Sequence, residues 1–438
     1  METIIQNDIH IDPAQAGTYF AFPFPVPADT ETLEIEYIYT RRLEQEIYGL
    51  RDHFFPTPEI NIIDIGLIAP DGNQVGASGS DKTMLFVSEV AATPGYKPRT
   101  IDEGEWKIII GAYKIAPEGV DVRYVIRLTE KKLRLLKGDL HVHTIASDGV
   151  HSVQELAFKA KANGLDFIAI TDHNQMISAD ALPRDTGVTL IPGVEWTHYR
   201  GHANFLGVDN PYDGPFFAAD DAEPLQRFIK ARQRGALVSV NHPFEGNSSF
   251  QFDLKSLPFD CLEVWNGPMR ESNLHAVGLW QQLLMSGLRV PICGGSDYHR
   301  DTPFIFLGGP TMCLFAFSNG VSDILQALRQ GHGYICYAPF GPQIEMTAGE
   351  SMMGDEVVWE TCREIEIEVQ GLQAGDEVRV ITHAGSETLH KAETDGLLNA
   401  TYRMPGPGFA RVEVARAFLP GLPMLPALLS NPIYFKGE

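Results

Sequence analysis

Two histidines separated by one residue, His141 and His143, are the part of this sequence best suited to chemistry. They end the apolar segment Gly138–His143, whose pattern predicts a β-strand. Side chains two positions apart on a strand point to the same face, so both imidazoles can reach one cation. Zinc–nitrogen bonds of about 2.0–2.1 Å suit such a pair. The spacing predicts a metal site, and the alternative is a pair of half-buried structural histidines.

Other residues of metal-binding or hydrogen-bonding type follow the neighbouring predicted strands at the point where each strand ends. In a parallel barrel the carboxyl ends of the strands open onto one mouth, where active sites form. Structural histidines scattered through a core would not keep this phase, so the pattern favours one shared site. The residues at these positions are Asp172, His173, Glu195, Asn241, His242, Asn266, Asp297 and His299.

The elements that must position these residues alternate between short apolar strands and helices over residues 136–340. Ser152–Glu155 forms a capping box that opens a helix, and Gly164 ends it. Glu223–Pro224 opens a second helix, which Gly235 closes. Two further helices are predicted at 272–286 and 321–330. Repeated βα units of this kind predict a parallel barrel or a doubly wound sheet, an α/β fold.

The flanking segments have strand patterns without helical periodicity. Residues 1–135 are predicted to form a small β-sandwich or jelly-roll-like domain, and 341–438 a second β-rich domain. The clearest alternating segments are 32–39, 60–68, 106–112, 120–128, 363–370, 377–382 and 409–415.

Composition limits the partners. The chain has 438 residues, 44% of them hydrophobic, and a formal net charge of −23. An acidic surface repels nucleic-acid phosphates and anionic lipid, so no general nucleic-acid or membrane binding is expected. The sequence contains no long apolar segment that predicts a membrane span and no signal-peptide pattern, and its five cysteines lack CxxC spacing, so a cytoplasmic location is expected. A small anionic or ester substrate would depend on bound cations, and an oligomer is compatible with these features.

Four motifs resemble, in order, those of the polymerase and histidinol phosphatase (PHP) superfamily. They are Gly138–Gly149, Ile170–Asn174, Asn241–Pro243 and Gly295–His299. Four more segments look like the CehA/McbA branch of that superfamily, namely Gly193–Glu195, Gly201–Asn204, Glu263–Gly267 and Asn431–Tyr434. The resemblance covers residues 136–340 and implies a distorted (β/α)7 TIM-like barrel, here flanked by the two small all-β domains. It also implies two or three divalent metal ions, for which Mn, Fe and Zn all suit the ligands.

The resemblance further implies which residues bind metal. It assigns the first metal to His141, His143, Glu195 and Asp297, the second to Glu195, His202 and His242, and the third to Asp148, His173 and His299. Glu195 would bridge two metals, and Glu195, Asp297 and His242 would be the catalytic residues. Asp148 stands where some relatives have histidine, and His198 competes with His202 for its position.

Four other residues are candidates for supporting roles. Asp172 is expected to orient a neighbouring ligand from behind, or to cap the turn after its strand. Asn204 and Asn266 are candidates for binding substrate oxygens, or for satisfying loop backbone groups. Arg300 could clamp an anion, although an exposed surface arginine fits the sequence equally well.

The expected activity is hydrolysis of a phosphomonoester or phosphodiester by a metal-bridging hydroxide, since clustered divalent ions lower the pKa of bound water toward about 7. One alternative is hydrolysis of a carbamate or aryl ester at the same site. Another is a non-catalytic, metal-binding regulatory module. No residue stands out in the sequence as a general acid.

Overall fold

The computed structural model describes residues 2–42, 58–218 and 223–437. The chain divides into two compact units, Met1–Lys132 and Leu133–Glu438. The domain boundary predicted near residue 340 therefore falls inside the second unit. Within the described ranges, no helix combines the length and apolar character needed to cross a membrane.

The first unit consists of two four-stranded antiparallel sheets around one hydrophobic core. The sheet orders are β1-β8-β3-β6 and β2-β7-β4-β5. Alternating side chains from both sheets, such as Ile35, Ile63 and Trp106, are fully buried in this shared core. The strands are β1 Glu2–Ile11, β2 Thr18–Val26, β3 Thr30–Ile38, β4 Ile62–Ile68, β5 Gln74–Ser78, β6 Met84–Ser88, β7 Gly104–Lys114 and β8 Val120–Glu130.

The second unit begins with the strands that carry the predicted motifs. These are β9 Arg134–Val142, β10 Phe167–Ile170, β11 Thr189–His198, β12 Gly201–Leu206, β13 Leu237–Val240, β14 Cys261–Asn266 and β15 Ile292–Gly295. Two further strands follow, β16 Thr311–Ala316 and β17 Gly333–Cys336. Most of these strands are buried along their whole length, as expected for strands covered on both faces.

The described residues contain four α-helices, all in the second unit: α1 Val153–Ala162, α2 Glu223–Gln233, α3 Glu271–Met285 and α4 Val321–Gln330. The capping box of α1 is confirmed, since the Ser152 hydroxyl accepts from the Glu155 amide and the Glu155 carboxylate accepts from the Ser152 amide. Gly164 follows α1 with a left-handed φ of 77°. All four predicted helices therefore exist, within a few residues of their predicted ends.

The remaining strands belong to the same unit. They are β18 Gln343–Ala348, β19 Ser351–Met352, β20 Glu356–Val358, β21 Glu364–Leu372, β22 Glu377–Thr382, β23 Gly385–Lys391, β24 Gly396–Arg403, β25 Gly408–Arg416, β26 Leu425–Ser430 and β27 Ile433–Lys436. One fifteen-stranded sheet runs β15-β14-β13-β12-β11-β10-β9-β16-β17-β26-β25-β22-β23, with β20 and β27 off this path. The sheet thus continues from the motif-bearing strands into the C-terminal region, because β17 pairs with β26.

The seven strands from β9 to β15 curl so that their two ends meet. The Tyr298 amide, just beyond β15, donates to the His141 carbonyl at 3.3 Å, and the Tyr298 carbonyl accepts from the His143 amide at 2.9 Å. This contact brings the end of β15 against the end of β9, so residues after both strands face one shared space.

The seven strands are not a regular βα repeat. In the described residues, no α-helix separates β10 from β11 or β13 from β14, and only short 3₁₀ turns occur there. Strand β12 runs antiparallel to both of its neighbours. The unit is a mixed α/β structure rich in strands, and the (β/α)7 barrel with flanking domains stays a prediction.

Candidate metal centre

The histidine pair lies at the end of β9 and is completely buried. His141 and His143 have no exposed side-chain surface, and their imidazole centroids are 5.2 Å apart. Gly295 lies against the backbone of His141, because an added Cβ there would be 2.8 Å from the His141 amide nitrogen. The close approach of β15 to β9 therefore fixes the position of this pair.

The structure brings all nine predicted metal-binding side chains together. In the described part of the chain, four groups of three or more such residues have ligand atoms within 4.8 Å of one another. The groups are His143–Asp148–His173–His299, His141–His143–Glu195, His141–His242–Asp297 and His173–Glu195–His202. Shared members link the four groups into one cluster at the ends of the strands.

Glu195 lies at the centre of this cluster, on β11. Its side chain is 1% exposed and contacts five imidazoles. The distances from Oε1 are 3.2 Å to His141 Nε2, 3.1 Å to His202 Nδ1 and 3.1 Å to His242 Nε2. Those from Oε2 are 2.8 Å to His173 Nδ1 and 3.5 Å to His143 Nε2. The two oxygens face different sets of histidines, as a bridging carboxylate requires.

One side of the cluster is more open to solvent than the other. Asp148 is 56% exposed, whereas His173 and His299 are between a quarter and a third exposed. Asp148 Oδ1 is 3.2 Å from His299 Nε2, and Asp148 Oδ2 is 3.8 Å from His173 Nε2. His143 and Asp297 connect this open side to the buried side, because His143 Nε2 is 3.0 Å from Asp297 Oδ1.

Several buried polar atoms in the cluster form no hydrogen bond. Such unpaired atoms show whether the cluster is suited to cations. They are His141 Nε2, both ring nitrogens of His143, His242 Nδ1 and Asp297 Oδ1. Leaving buried polar groups unpaired costs about 1–3 kcal/mol each. A divalent cation accepts lone pairs from imidazole nitrogens and carboxylate oxygens, so these residues fit a metal site.

Two carboxylates of the cluster, Glu195 and Asp297, have lowered pKa values. Burial by itself would raise the pKa of Glu195, but the imidazoles of His141, His173 and His202 hold that pKa well below its usual range. The pKa of Asp297 is likewise depressed, because His141 outweighs the effect of burial. Metal binding needs deprotonated carboxylates, and this site supplies them.

Two residues of the cluster adopt left-handed backbone conformations. His242 has a φ of 24° and Asp297 a φ of 51°. Residues other than glycine avoid this region, and such conformations concentrate at functional sites. His242 lies two residues after the end of β13, and Asp297 lies two residues after the end of β15. The left-handed turn changes the direction of the chain there, so that each side chain faces the cluster.

Strand register distinguishes His202 from His198. His202 pairs with Thr197 across the β11–β12 hairpin, which places its side chain on the same face as Glu195. His198 lies on the opposite face and stacks on Trp196, with ring centroids 5.3 Å apart and an interplanar angle of 5°. The structure thus brings His202 to the cluster and packs His198 away from it.

Asp172 does not hold a metal-binding side chain directly. Its carboxylate accepts hydrogen bonds from the Thr144 amide at 2.7 Å, the Thr144 hydroxyl at 2.8 Å and the Ser147 hydroxyl at 2.6 Å. These residues form the turn that leads to Asp148. Asp172 therefore fixes the loop that carries Asp148, and its role in orienting a metal ligand stays a prediction.

The three candidates for substrate binding differ in burial and in contacts. Asn204 is 2% exposed, and its amide donates to the Leu140 carbonyl at 3.1 Å, so it joins β12 to β9. Asn266 is 1% exposed and donates to Asp297 Oδ2 at 3.3 Å. Arg300 is exposed and makes no ion pair or hydrogen bond with the described residues. The buried asparagines support the strands and the cluster, in line with the alternative that they satisfy other polar groups, and substrate binding by these three residues stays a prediction.

Sequence reasoning gave no role to three polar residues that hold the cluster. The Asn241 amide donates to Glu195 Oε1 at 3.0 Å. Asn174 binds both the amide and the carbonyl of Thr197, which fixes β11 beside the end of β10. Asp139 accepts from the amides of His141, Ser296 and Gly308, and burial raises its pKa to about 6. All three lie inside or beside the quoted motifs, which was the available signal.

Part of this unit is similar to a known protein family. The PHP domain model matches residues 139–234, a segment that contains six of the nine clustered residues. An uncharacterized protein of Methanocaldococcus jannaschii is 26% identical over 166 residues, covering 33% of this chain and 90% of that protein. A probable phosphatase of Vibrio campbellii is 27% identical over 203 residues, covering 37% of this chain and 78% of the relative.

Two other similarities are more limited. A 5'-3' exoribonuclease of Haemophilus influenzae is 42% identical over 62 residues, and the match spans only 23% of that enzyme. A two-domain Bacteroides vulgatus structure, described as containing a predicted PHP-like metal-dependent phosphoesterase, aligns with a TM-score of 0.40 and 16% identity. It covers 64% of this chain and 90% of its own. The PHP domain match supports a similarity to the PHP superfamily over residues 139–234, and the CehA/McbA branch stays a prediction.

Proposed function

We propose that this protein is a metal-dependent phosphoesterase whose active site is the cluster around Glu195. The observation that carries the proposal is the convergence of nine side chains of metal-binding type in one cluster, with the buried Glu195 carboxylate at its centre. The PHP domain match and the similarity to a probable phosphatase add family-level support.

The residues would divide the work according to their burial. His141, His143 and Glu195 form the closed base of the site, and Glu195 would help to hold the cations there. Asp148, His173 and His299 line the open side, where a substrate can approach. Divalent ions bound there would supply Lewis-acid polarisation of the phosphoryl oxygens and an activated water. A bound phosphate would thereby find positive charge inside a chain whose formal net charge is −23.

The chain's own groups also keep the Glu195 carboxylate in its ionised form. Asn241 donates to Glu195 Oε1 and so keeps that oxygen an acceptor. The depressed pKa of Glu195, caused by the surrounding imidazoles outweighing its burial, keeps the carboxylate ionised. A carboxylate held in this way binds and orients rather than donating a proton, so Glu195 is assigned as a bridging ligand and not as a general acid.

The proposal is tested by metal content and hydrolysis measured together. The wild-type protein, purified and loaded separately with Mn²⁺, Fe²⁺ and Zn²⁺, is expected to bind two or three ions and to hydrolyse aryl phosphates. His141→Ala and Glu195→Gln should each lower both readouts. His275→Ala is the matched control, because His275 is an exposed histidine on α3 and its contacts lie outside the cluster.

The ester class is resolved by comparing aryl phosphates, bis-aryl phosphates and aryl carbamates with the same preparation. Preferred turnover of a phosphomonoester or phosphodiester supports the proposal. Preferred turnover of the carbamate would replace it with the alternative esterase function. Stable metal binding without turnover of any ester would instead favour the non-catalytic module.

A further inference from the structure

Glu263 is a buried carboxylate that the proposed chemistry leaves without a role. It lies on β14, only 2% exposed, and belongs to none of the four groups of metal-binding side chains. An isolated buried charge is costly, so its hydrogen-bond partners should explain why it is there.

The Glu263 carboxylate makes three hydrogen bonds with the described residues. All three lead toward one of the groups of metal-binding side chains. Its Oε1 is 2.9 Å from His141 Nδ1. Its Oε2 accepts from the His242 amide at 2.9 Å and from the Asn266 side-chain amide at 3.2 Å. Asn266 in turn donates to Asp297 Oδ2 at 3.3 Å. His141, His242 and Asp297 are together one of the four groups.

We propose that Glu263 is the positioning residue that prepares the His141–His242–Asp297 group for its metal ion. The inference rests on the proposed function only in taking the cluster to bind metal. Glu263 touches the side of His141 away from the cluster, and Asn266 touches the oxygen of Asp297 away from it. The atoms left facing inward, His141 Nε2 and Asp297 Oδ1, are two of those without a hydrogen-bond partner.

The chemistry of this arrangement fixes the tautomer of His141. A carboxylate only accepts hydrogen bonds, so His141 Nδ1 must carry the proton that it shares with Glu263. His141 Nε2 then keeps its lone pair for a cation, and the negative charge behind the ring strengthens it as a ligand. The bond to the His242 amide also secures the left-handed backbone at that residue, whose φ is 24°.

Replacing the carboxylate by an amide should reverse this preparation. In Glu263→Gln, the side-chain NH₂ group must face either His141 Nδ1 or the His242 amide. If it faces His141, the ring is driven to the tautomer with a proton on Nε2, which cannot bind metal. If it faces the His242 amide, two donors oppose each other and the left-handed turn loses its support.

The experiment is a calorimetric titration of the metal-depleted full-length protein with Zn²⁺ and, separately, Mn²⁺. Glu263→Gln is expected to weaken one site by about 10–100-fold, the range found when such supporting partners are removed. The site formed by Asp148, His173 and His299 should keep its wild-type affinity for metal, since Glu263 contacts none of these three residues. Glu377→Gln is the control, because the Glu377 carboxylate forms ion pairs with Arg379 on β22 and Lys391 on β23, and neither residue belongs to the cluster.

A double-mutant comparison separates positioning from general destabilisation. Adding Glu263→Gln to His141→Ala should cause a further loss of affinity that is smaller than the loss caused by Glu263→Gln alone, because the contact of Glu263 with His141 is then already gone while its bond to the His242 amide remains. Additive losses would overturn the inference. Should Glu263→Gln fail to fold, as judged by circular dichroism, Asn266→Ala tests the same path to Asp297 and is expected to weaken one site by about 10-fold.

Two negative results have distinct meanings. Wild-type protein that binds neither ion would refute the metal-dependent function itself. Wild-type binding with unchanged affinity in Glu263→Gln would refute the positioning role alone.

Discussion

The contact between β15 and β9 gives a sharp test of how the fold builds the site. An alanine at Gly295 would place its Cβ 2.4 Å from the His141 Cβ and 2.8 Å from the His141 amide nitrogen. Carbon atoms pack at about 3.5–4.0 Å, so the two strands would have to separate by about 1 Å. Asp139 on β9 also accepts from the Ser296 amide, just beyond β15, at 2.9 Å, so the two strands are held together at this point.

This displacement has two expected consequences. Overpacking of a close-packed interior costs about 1–3 kcal/mol in the free energy of unfolding. Metal–ligand distances tolerate deviations of about 0.2 Å, so a shift of about 1 Å removes His141 from coordination. Gly295→Ala should therefore lose both stability in urea unfolding and metal ions in elemental analysis.

Gly278→Ala is the matched control. Gly278 lies within α3, where an added Cβ meets no atom within 4 Å. Alanine favours a helix over glycine by about 1 kcal/mol, so this variant should be slightly more stable and keep its metal. If Gly295→Ala were as stable and as fully loaded with metal as wild type, the strand contact would not be what positions His141.

Three further predictions concern residues of the cluster and its supports. Asp139→Asn should lower the free energy of unfolding by about 1–3 kcal/mol, measured in urea, because an amide cannot accept all the hydrogen bonds that converge on this carboxylate. Asp297→Asn should keep a wild-type melting profile, since asparagine tolerates the left-handed φ of 51°. It should lose metal, because asparagine lacks the charge of aspartate. Unfolding of this variant would contradict the prediction. Chelation should release metal in a fast phase from the open side of the cluster, where Asp148 is 56% exposed, and in a slow phase from the buried side. Asp148→Ala should remove only the fast phase. Loss of both phases would argue against separate sites.

Local patterns in the sequence predicted the elements well. The Ser152–Glu155 capping box and the glycine after α1 mark that helix because capping depends on a few neighbouring residues. Helix α4 was predicted with its observed bounds, Val321–Gln330. Strand β12 was missed, because its hairpin with β11 depends on pairing with residues outside its own segment. The same pairing carries β11 on to His198, beyond its predicted end at Glu195.

The supporting residues were harder to predict for a related reason. From sequence, Asn204 and Asn266 suited either substrate or loop backbone, and Asp172 suited either orienting a ligand or capping a turn. Their observed partners lie far away in the chain, as when Asn204 binds the Leu140 carbonyl. Hydrogen bonds over such separations follow from how strands are ordered in the sheet, which residue types alone do not specify.

The sequence by itself determined which side chains can bind metal and that His141 and His143 share a face, because strand geometry fixes the direction of residues two apart. It also placed these residues at strand ends, where an α/β sheet forms its sites. Only the tertiary structure decided that His202 rather than His198 faces Glu195, since this depends on the register of the β11–β12 hairpin. The tertiary structure also placed Glu263 behind His141 and His242, because that contact requires β14, β9 and the end of β13 to meet.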